Sequence, residues 1–354
     1  MTLLENYIVR QIVGGLCIAT AVLLPLFSFL DVIEQLDDVG EGFYTTKDAF
    51  LYVSYLLPRR FIQLAPFIAL VGTVIGLGQL AVNLELITMR AAGLSPMRIS
   101  RVVLKVGLFL LIVLGVMEQF VAPELQHKAI THRAGALAQS TELGKSLGTW
   151  TRDKRQILRV GESPKGRYME NVEVMYMDDS GMLIEHISAE YAEIKTEKEW
   201  ELNNVTKRVF AENSMQTSYI SSLIWEPFLN REQMSTLNRP AESLSPLELY
   251  NFVRYLRDTG QQADAYELAL WRKLGGGLVT LAMILLSVPF VLGSVRGGIA
   301  NRLVLAGITG ICVYLFDQIV ANVGLLLDLS FPLVALAPGL ILIWLAIAWL
   351  QRLA

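Results

Sequence analysis

Cysteine and histidine are scarce in this chain of 354 residues, and their scarcity excludes several functions at the outset. Only Cys17 and Cys312 occur. Both fall inside long apolar runs, where they read as small packing residues and not as a disulfide. The three histidines, His127, His132 and His186, have no cysteine or carboxylate at metal-ligand spacing. The interval of five between His127 and His132 does not bring both onto one helix face, so no metal site is expected. A phosphate loop is lacking too: Gly144-Lys145-Ser146 would need a glycine five residues earlier, and Gln139 stands there. Serine, histidine and aspartate occur without a nucleophile elbow. The net charge of −3 gives no basic surface for nucleic acid. Such an inventory is not that of an enzyme acting by itself, so any work the chain does must be powered from elsewhere.

What the chain has in abundance is apolar length. A membrane span needs about 20 apolar residues, since the hydrocarbon core is about 30 Å thick and a helix rises about 1.5 Å per residue. Six stretches meet that need: residues 12–30, 61–84, 102–122, 274–295, 303–327 and 329–350. Lys105 and Glu118 mark the third and Asp317 interrupts the fifth; the others carry no charge. Backbone amides without water must be satisfied within the segment, so each is expected to be helical. The first run is longer than a signal core and lacks a small-x-small cleavage site, so it is expected to stay as an anchor.

Between the third and fourth runs the composition inverts. Of the 63 charged residues, 39 lie between Pro123 and Glu267, which makes this insert a water-exposed domain. Apolar side chains alternate through residues 172–177 and at Ile187, Ala189 and Tyr191, the mark of half-buried strands. Turn signals separate them, at Asp178-Asp179-Ser180-Gly181 and in the charged run 195–199. An antiparallel sandwich, a jelly roll and an open barrel all fit this pattern. The insert ends in a helix: Ser245-Pro246-Leu247-Glu248 is a capping box with proline at the first helical position. Leu249, Phe252, Val253 and Leu256 then share one face until Gly260. That face belongs either at the membrane surface or on the sheet.

Lysine and arginine in short loops are retained on the cytoplasmic side. Arg90, Arg98, Arg101 and Lys105 follow span two, Arg296 and Arg302 follow span four, and Arg10 and Arg352 flank the ends. Residues 31–60 instead combine Lys47, Arg59 and Arg60 with Asp31, Glu34, Asp37, Asp38, Glu41 and Asp48, and the last outer loop has Asp328. Both termini are therefore expected in the cytoplasm and the insert outside it, in a periplasm where the cell has one. The loop Asn83-Leu84-Glu85-Leu86-Ile87-Thr88-Met89-Arg90-Ala91-Ala92-Gly93-Leu94-Ser95-Pro96 carries its carboxylate early and its base late. Leu86, Met89 and Ala92 stand at helical spacing, and Gly93 and Pro96 end the run. It reads either as a coupling helix that docks on an ATPase or as an interfacial helix that turns the chain around.

At these segments the chain resembles the LptF/LptG permease family, which exports lipopolysaccharide. The resemblance runs nearly end to end. It is carried by the loop from Leu84 to Gly93, by Gly148-Thr149-Trp150, by Leu244-Ser245 through Trp271 with Tyr255-Leu256-Arg257-Asp258-Thr259-Gly260-Gln261, and by Tyr314-Leu315-Phe316-Asp317-Gln318-Ile319. Within the family, Trp150 and the segment before span four set the chain apart from LptF. The resemblance implies a membrane α-helical protein of six transmembrane helices with an inserted periplasmic all-β domain, a β-jellyroll. Its parts are residues 1–122 with spans one to three and a coupling helix at about 83–95, residues 123–266 with the jellyroll and a short helix at 246–259, and residues 267–354 with spans four to six.

The implied function is that of a permease subunit of an ABC exporter in a bacterial inner membrane. It pairs with LptF around a lipid-sized cavity and receives two copies of the ATPase LptB. Lipopolysaccharide is passed through LptC to a periplasmic bridge. No cofactor is implied on this chain; ATP and Mg²⁺ belong to LptB. Glu85 matches the family's coupling carboxylate, with Met89, Arg90 and Gly93 beside it. For substrate, phosphates and acyl chains call for cations above apolar side chains. Arg133 matches an arginine of the relatives, Arg59 and Arg60 are further candidates, and Leu26 and Phe67 match cavity-lining positions. Ordinary snorkelling to lipid headgroups explains Arg59 and Arg60 equally simply and accounts less well for Arg133. The family's lysines near the outer end of span one are absent here. Asp31, Asp37 and Asp38 stand instead, which points to metal-bridged contacts or a different set of basic partners. Asp317, costly within a span, either lines the cavity or bonds a neighbouring helix. The alternatives are an LptF-type subunit of the same exporter, a membrane-tethered periplasmic scaffold, or a self-contained secondary transporter. The last is disfavoured because spans one to three show no evident repeat in four to six.

Overall fold

The computed structural model describes residues 3–137, 149–153, 155–161, 168–178, 181–196, 199–211, 214–227, 240–261, 263–293, 299–327 and 329–353. Of the positions singled out above, Gln139, Gly144-Lys145-Ser146, Gly148, Asp179, Ser180, residues 197–198, Arg296 and Asp328 lie outside the described residues.

Six helices are long and apolar enough to cross a membrane. They are α1 (Leu3–Leu36), α2 (Thr46–Val82), α4 (Pro96–Val116) continuing through a π turn (Met117–Val121) into α5 (Ala122–Leu137), α7 (Asp264–Gly293), α8 (Ile299–Leu326) and α9 (Phe331–Leu353). A short helix α3 (Glu85–Ala91) joins α2 to α4. The chain is thus a membrane helical protein, and the inserted β domain lies between α5 and α7. The first three long helices outrun the apolar stretches. At 34, 37 and 42 residues they exceed the roughly 20 a bilayer needs, so together they rise past the membrane on the β-domain side.

Small residues let these helices meet closely, as membrane packing demands in the absence of a hydrophobic drive. A Cβ on Gly15 of α1 would overlap the Gly72 carbonyl oxygen of α2, and one on Gly76 would meet the Gln11 oxygen at 2.5 Å. Gly72 and Gly76 are four apart, one turn of α2, so α1 lies directly on its backbone. Around this pair a single apolar core runs from Ile8 and Ile12 through Leu70, Val74 and Leu77 to Ile99 and Val103. It continues into Met283, Ile284 and Val288 of α7 and ends at Ala346 and Leu350 of α9. Helices α2 and α7 are central, with 61% of their apolar windows buried, against 17% for α1 and α8.

The β domain is one antiparallel sheet of six strands in chain order: β1 (Thr149–Asp153), β2 (Gln156–Val160), β3 (Tyr168–Met177), β4 (Leu183–Thr196), β5 (Glu199–Ala211) and β6 (Ser214–Trp225). The sheet is rolled. Trp225 at the end of β6 donates its indole N–H to the Tyr176 hydroxyl on β3 at 2.9 Å, although two strands lie between them. Val172, Val174, Ile187 and Ala189 point inward, as their alternation predicts, but Tyr191 is exposed. The reason is a slip of the inward set. Asn171 and Asn204 take the left-handed conformation on either side of Glu190, and beyond that level Ala192, Ile194, Trp200 and Leu202 fill the interior.

Helix α6 (Pro246–Asp258) closes the roll. Its capping box forms as read, Ser245 Oγ accepting from the Glu248 amide at 3.2 Å and Glu248 Oε2 accepting from the Ser245 amide at 2.7 Å. Phe252, Val253, Tyr255 and Leu256 belong to the same buried cluster as Trp200 and Trp225, so of the two seats open to this helix it takes the sheet.

Candidate functional site

Candidate residues gather at the two ends of the helical bundle. At the end away from the β domain, Leu84 begins α3 in the left-handed conformation (φ 62°). Glu85 Oε2 accepts a hydrogen bond from the Tyr7 hydroxyl of α1 at 2.8 Å. The helix stops at Gly93 (φ +93°), whose amide bonds the Arg90 oxygen at 3.0 Å while the Leu94 amide bonds the Met89 oxygen at 3.0 Å. This is a Schellman stop, and it brings Leu94 and Met89 together against the core. Leu86 is fully buried there, and Met89 is half-buried. Arg90 and Gly93 are exposed.

The opposite edge of α3 carries an apolar patch that sequence reasoning missed. Leu84 is 61% exposed and Ile87 49%, with Val82 and Met97 exposed nearby. Their signal was the spacing of three between Leu84 and Ile87, hidden by the stronger stripe of Leu86 and Met89. Glu5 braces the same end, 3.5 Å from Lys105 Nζ and 4.0 Å from Arg98 Nε, so α1 is tied to α4 there as Tyr7 and Glu85 tie it to α3.

At the β-domain end every candidate charge has a partner within the chain. Arg60 forms a two-point pair with Asp31 of α1, its Nε lying 2.7 Å from Oδ2, and a bond to Gln63 at 3.0 Å. Arg133 of α5 holds Asp38 at 2.5 Å and lies over the Tyr52 ring, 5.9 Å from its centre. Arg59 bonds Glu118 of the π turn at 2.8 Å, and Lys273 of α7 bonds the same carboxylate oxygen. Arg272 bonds Asp317 of α8 at 3.1 Å. Asp31 and Asp38 have therefore taken basic partners. Among the described residues no group of three or more His, Cys, Asp or Glu is gathered to hold a metal ion. Asp317 is bonded to a neighbouring helix, one of its two expected settings. Arg59 keeps a donor in hand: its Nε is buried without a hydrogen-bond partner among the described residues.

These pairs stitch α1, α2, the π turn, α7 and α8 together at one level, beside the ends of the apolar stretches except in α8, where Asp317 lies inside its stretch. Beyond it the α1–α2 turn is docked on α5, the Phe43 amide bonding the Ala136 oxygen at 3.0 Å. Tyr44 is buried beside it, donating to Gln35 at 3.2 Å, and burial pushes its hydroxyl pKa above the ordinary range. Of the apolar candidates, Leu26 is exposed on α1, whereas Phe67 presses against Gly310 of α8, where a Cβ would meet its ring at 2.6 Å.

A bundle of six apolar helices long enough to span a membrane, with an inserted β sheet, an exposed apolar edge at one end and a charged rim at the other, defines a multi-span membrane protein. The chain belongs to the family described as lipopolysaccharide export system permease LptF/LptG, whose profile matches residues 6–352. It is similar to the lipopolysaccharide export system permease protein LptG of Haemophilus influenzae, 28% identical over 345 residues that cover 96% of each chain. It is also similar to the protein of that name in Escherichia coli K12, 26% identical over 349 residues covering 97% of each. It is accordingly a multi-pass inner-membrane protein and a component of an export system.

Proposed function

We propose that the chain is the LptG-type transmembrane subunit of an ABC exporter that lifts lipopolysaccharide out of the inner membrane. The observation that carries this reading is α3. Its inner face is sealed to the bundle by Leu86 and Met89, while Leu84 and Ile87 stand exposed beside Glu85, at the end of the bundle away from the β domain. Exposed apolar side chains in such a place mark a protein contact. The occupant is an ATPase of the LptB type, two copies per exporter, which supplies the ATP and Mg²⁺ chemistry this chain has no motif for. Glu85, Arg90 and Gly93 border the contact, and Met89 supports it from below. The α3 end and both termini are then cytoplasmic, and the β domain is periplasmic, where LptC and the bridge receive substrate.

The lightly buried spans α1 and α8 flank α2 and are the faces left for an LptF-type partner and the cavity. Leu26 and Phe67 line the apolar part of that cavity. Arg59, Arg60 and Arg133 meet the lipid phosphates at its rim, with Asp317 beside them. The relatives' name favours the LptG-type over the LptF-type reading.

Affinity purification from native membranes tests this. The wild-type chain is expected to bring down an ATPase in stoichiometric amount, and Glu85→Arg or Ile87→Asp to lose it by tenfold or more. A chain that purifies alone and moves lipid without ATP contradicts the proposal.

A further inference from the structure

The π turn at Met117–Val121 is unaccounted for by spanning alone. A helix of regular apolar residues needs no such turn, and π turns concentrate where a side chain must be re-aimed. Here the Ala122 amide reaches back five residues to the Met117 oxygen, and the extra residue turns Glu118 away from lipid into the protein. Glu118 is 8% exposed and is gripped by two cations from different helices, Arg59 of α2 and Lys273 of α7.

The same cluster touches the β domain. Lys273 Nζ also donates to the Glu242 carbonyl oxygen at 3.3 Å, in the short 3₁₀ turn (Ala241–Ser243) that precedes α6. The neighbour of Glu118, Gln119, accepts from the Leu247 amide in the first turn of α6 at 3.3 Å. Helix α6 fills the roll of the sheet, and its far end is braced to α7 by Arg257 and Glu267 at 2.5 Å and by the Phe252–Tyr266 ring contact at 4.8 Å. One buried carboxylate thus joins α2, the third span, α7 and the element that closes the β domain.

We infer that Glu118 is a positioning residue that ties the β domain to the membrane helices, so that movement between α2 and α7 reaches the β domain through the π turn. The inference rests on the reading of the chain as an ATP-driven permease. It adds a joint to that reading: α2 carries the coupling helix at one end and Arg59 towards the other, so a displacement begun at α3 arrives at the carboxylate that holds α6.

The test uses the assembled exporter in proteoliposomes, with Cys17 and Cys312 replaced by serine and a cysteine pair at Gln119→Cys and Leu247→Cys reporting the junction. With Glu118→Gln, cross-linking of that pair is expected to fall at least threefold. Lipid delivery is expected to fall at least tenfold while ATP hydrolysis stays within twofold, and oxidising the pair to completion is expected to restore delivery. Unchanged delivery by Glu118→Gln overturns the inference. So does loss of the complex in both Glu118→Gln and Glu118→Asp, which marks a merely structural role, and so does uncoupling that persists once the pair is joined. A wild-type complex that delivers no lipid in response to ATP overturns the permease reading instead, and the cross-linking ratio still reports the joint.

Discussion

Arg133 holds Asp38 at 2.5 Å and lies over Tyr52, so a lipid phosphate that reaches this arginine has to displace a carboxylate. Both partners are more than a quarter exposed, and pairs so placed contribute at most about 1 kcal/mol to stability. Asp38→Asn should therefore leave thermal stability nearly unchanged. It should tighten binding of lipopolysaccharide by the purified chain about two- to fivefold, since about 1 kcal/mol corresponds to about fivefold. Weaker binding would mean that the carboxylate itself holds the ligand. At the other end, Tyr7→Phe deletes only the hydroxyl that steadies Glu85. A hydrogen bond to a charged group is worth about 1.5–3 kcal/mol at most, less when exposed, so titration with the ATPase should show a loss of about two- to tenfold. No loss would mean that Glu85 is held without Tyr7.

The elements were legible to different degrees, and the differences have physical causes. Charge-free length announces a span because nothing else tolerates it, and all six were readable. The ends of the helices were not. Arg59, Arg60 and Glu118 look like boundary markers in sequence, yet they continue their helices because each finds an opposite charge on a neighbour. The crossing of α1 on α2 was silent for another reason: a glycine shows its value only against the backbone that meets it. Gly72→Leu should cost on the order of 3 kcal/mol in detergent unfolding, as overpacking against Leu16 requires, whereas Gly14→Leu, with no atom within 4 Å of its Cβ, should cost almost nothing. Equal effects would refute the close crossing. In the sheet, period-two alternation located the strands and then misassigned Tyr191, because Asn171 and Asn204 shift the inward set and neither residue advertises a left-handed backbone. The amphipathic face of α6 was plain, but its seat was decided by the shape of the roll. Phe252→Ala should therefore destabilise the β domain by about 3–5 kcal/mol, with Leu247→Ala, 59% exposed, near zero. Loss of membrane affinity without loss of stability would put α6 on the bilayer.

For the whole molecule, the two ends are connected by rigid parts. Helix α3 is sealed to the core by Leu86, α1 is fixed to α2 through Gly15, Gly72 and Gly76, and α2 delivers Arg59 to the carboxylate beneath the β domain. Such a body transmits displacement instead of absorbing it, which suits a subunit driven from outside. The exposed edge of Leu84 and Ile87 stayed hidden in sequence because only the packed structure tells which face of a seven-residue helix is left over. The most direct measurement is release of lipopolysaccharide from proteoliposomes that hold this chain with the proposed LptF-type partner and LptB-type ATPase, with wild type set against Ile87→Asp. Release should require ATP, and the variant should lose at least nine-tenths of it while its unfolding temperature is unchanged. Release without the ATPase, or an Ile87→Asp chain that exports at the wild-type rate, would contradict the account.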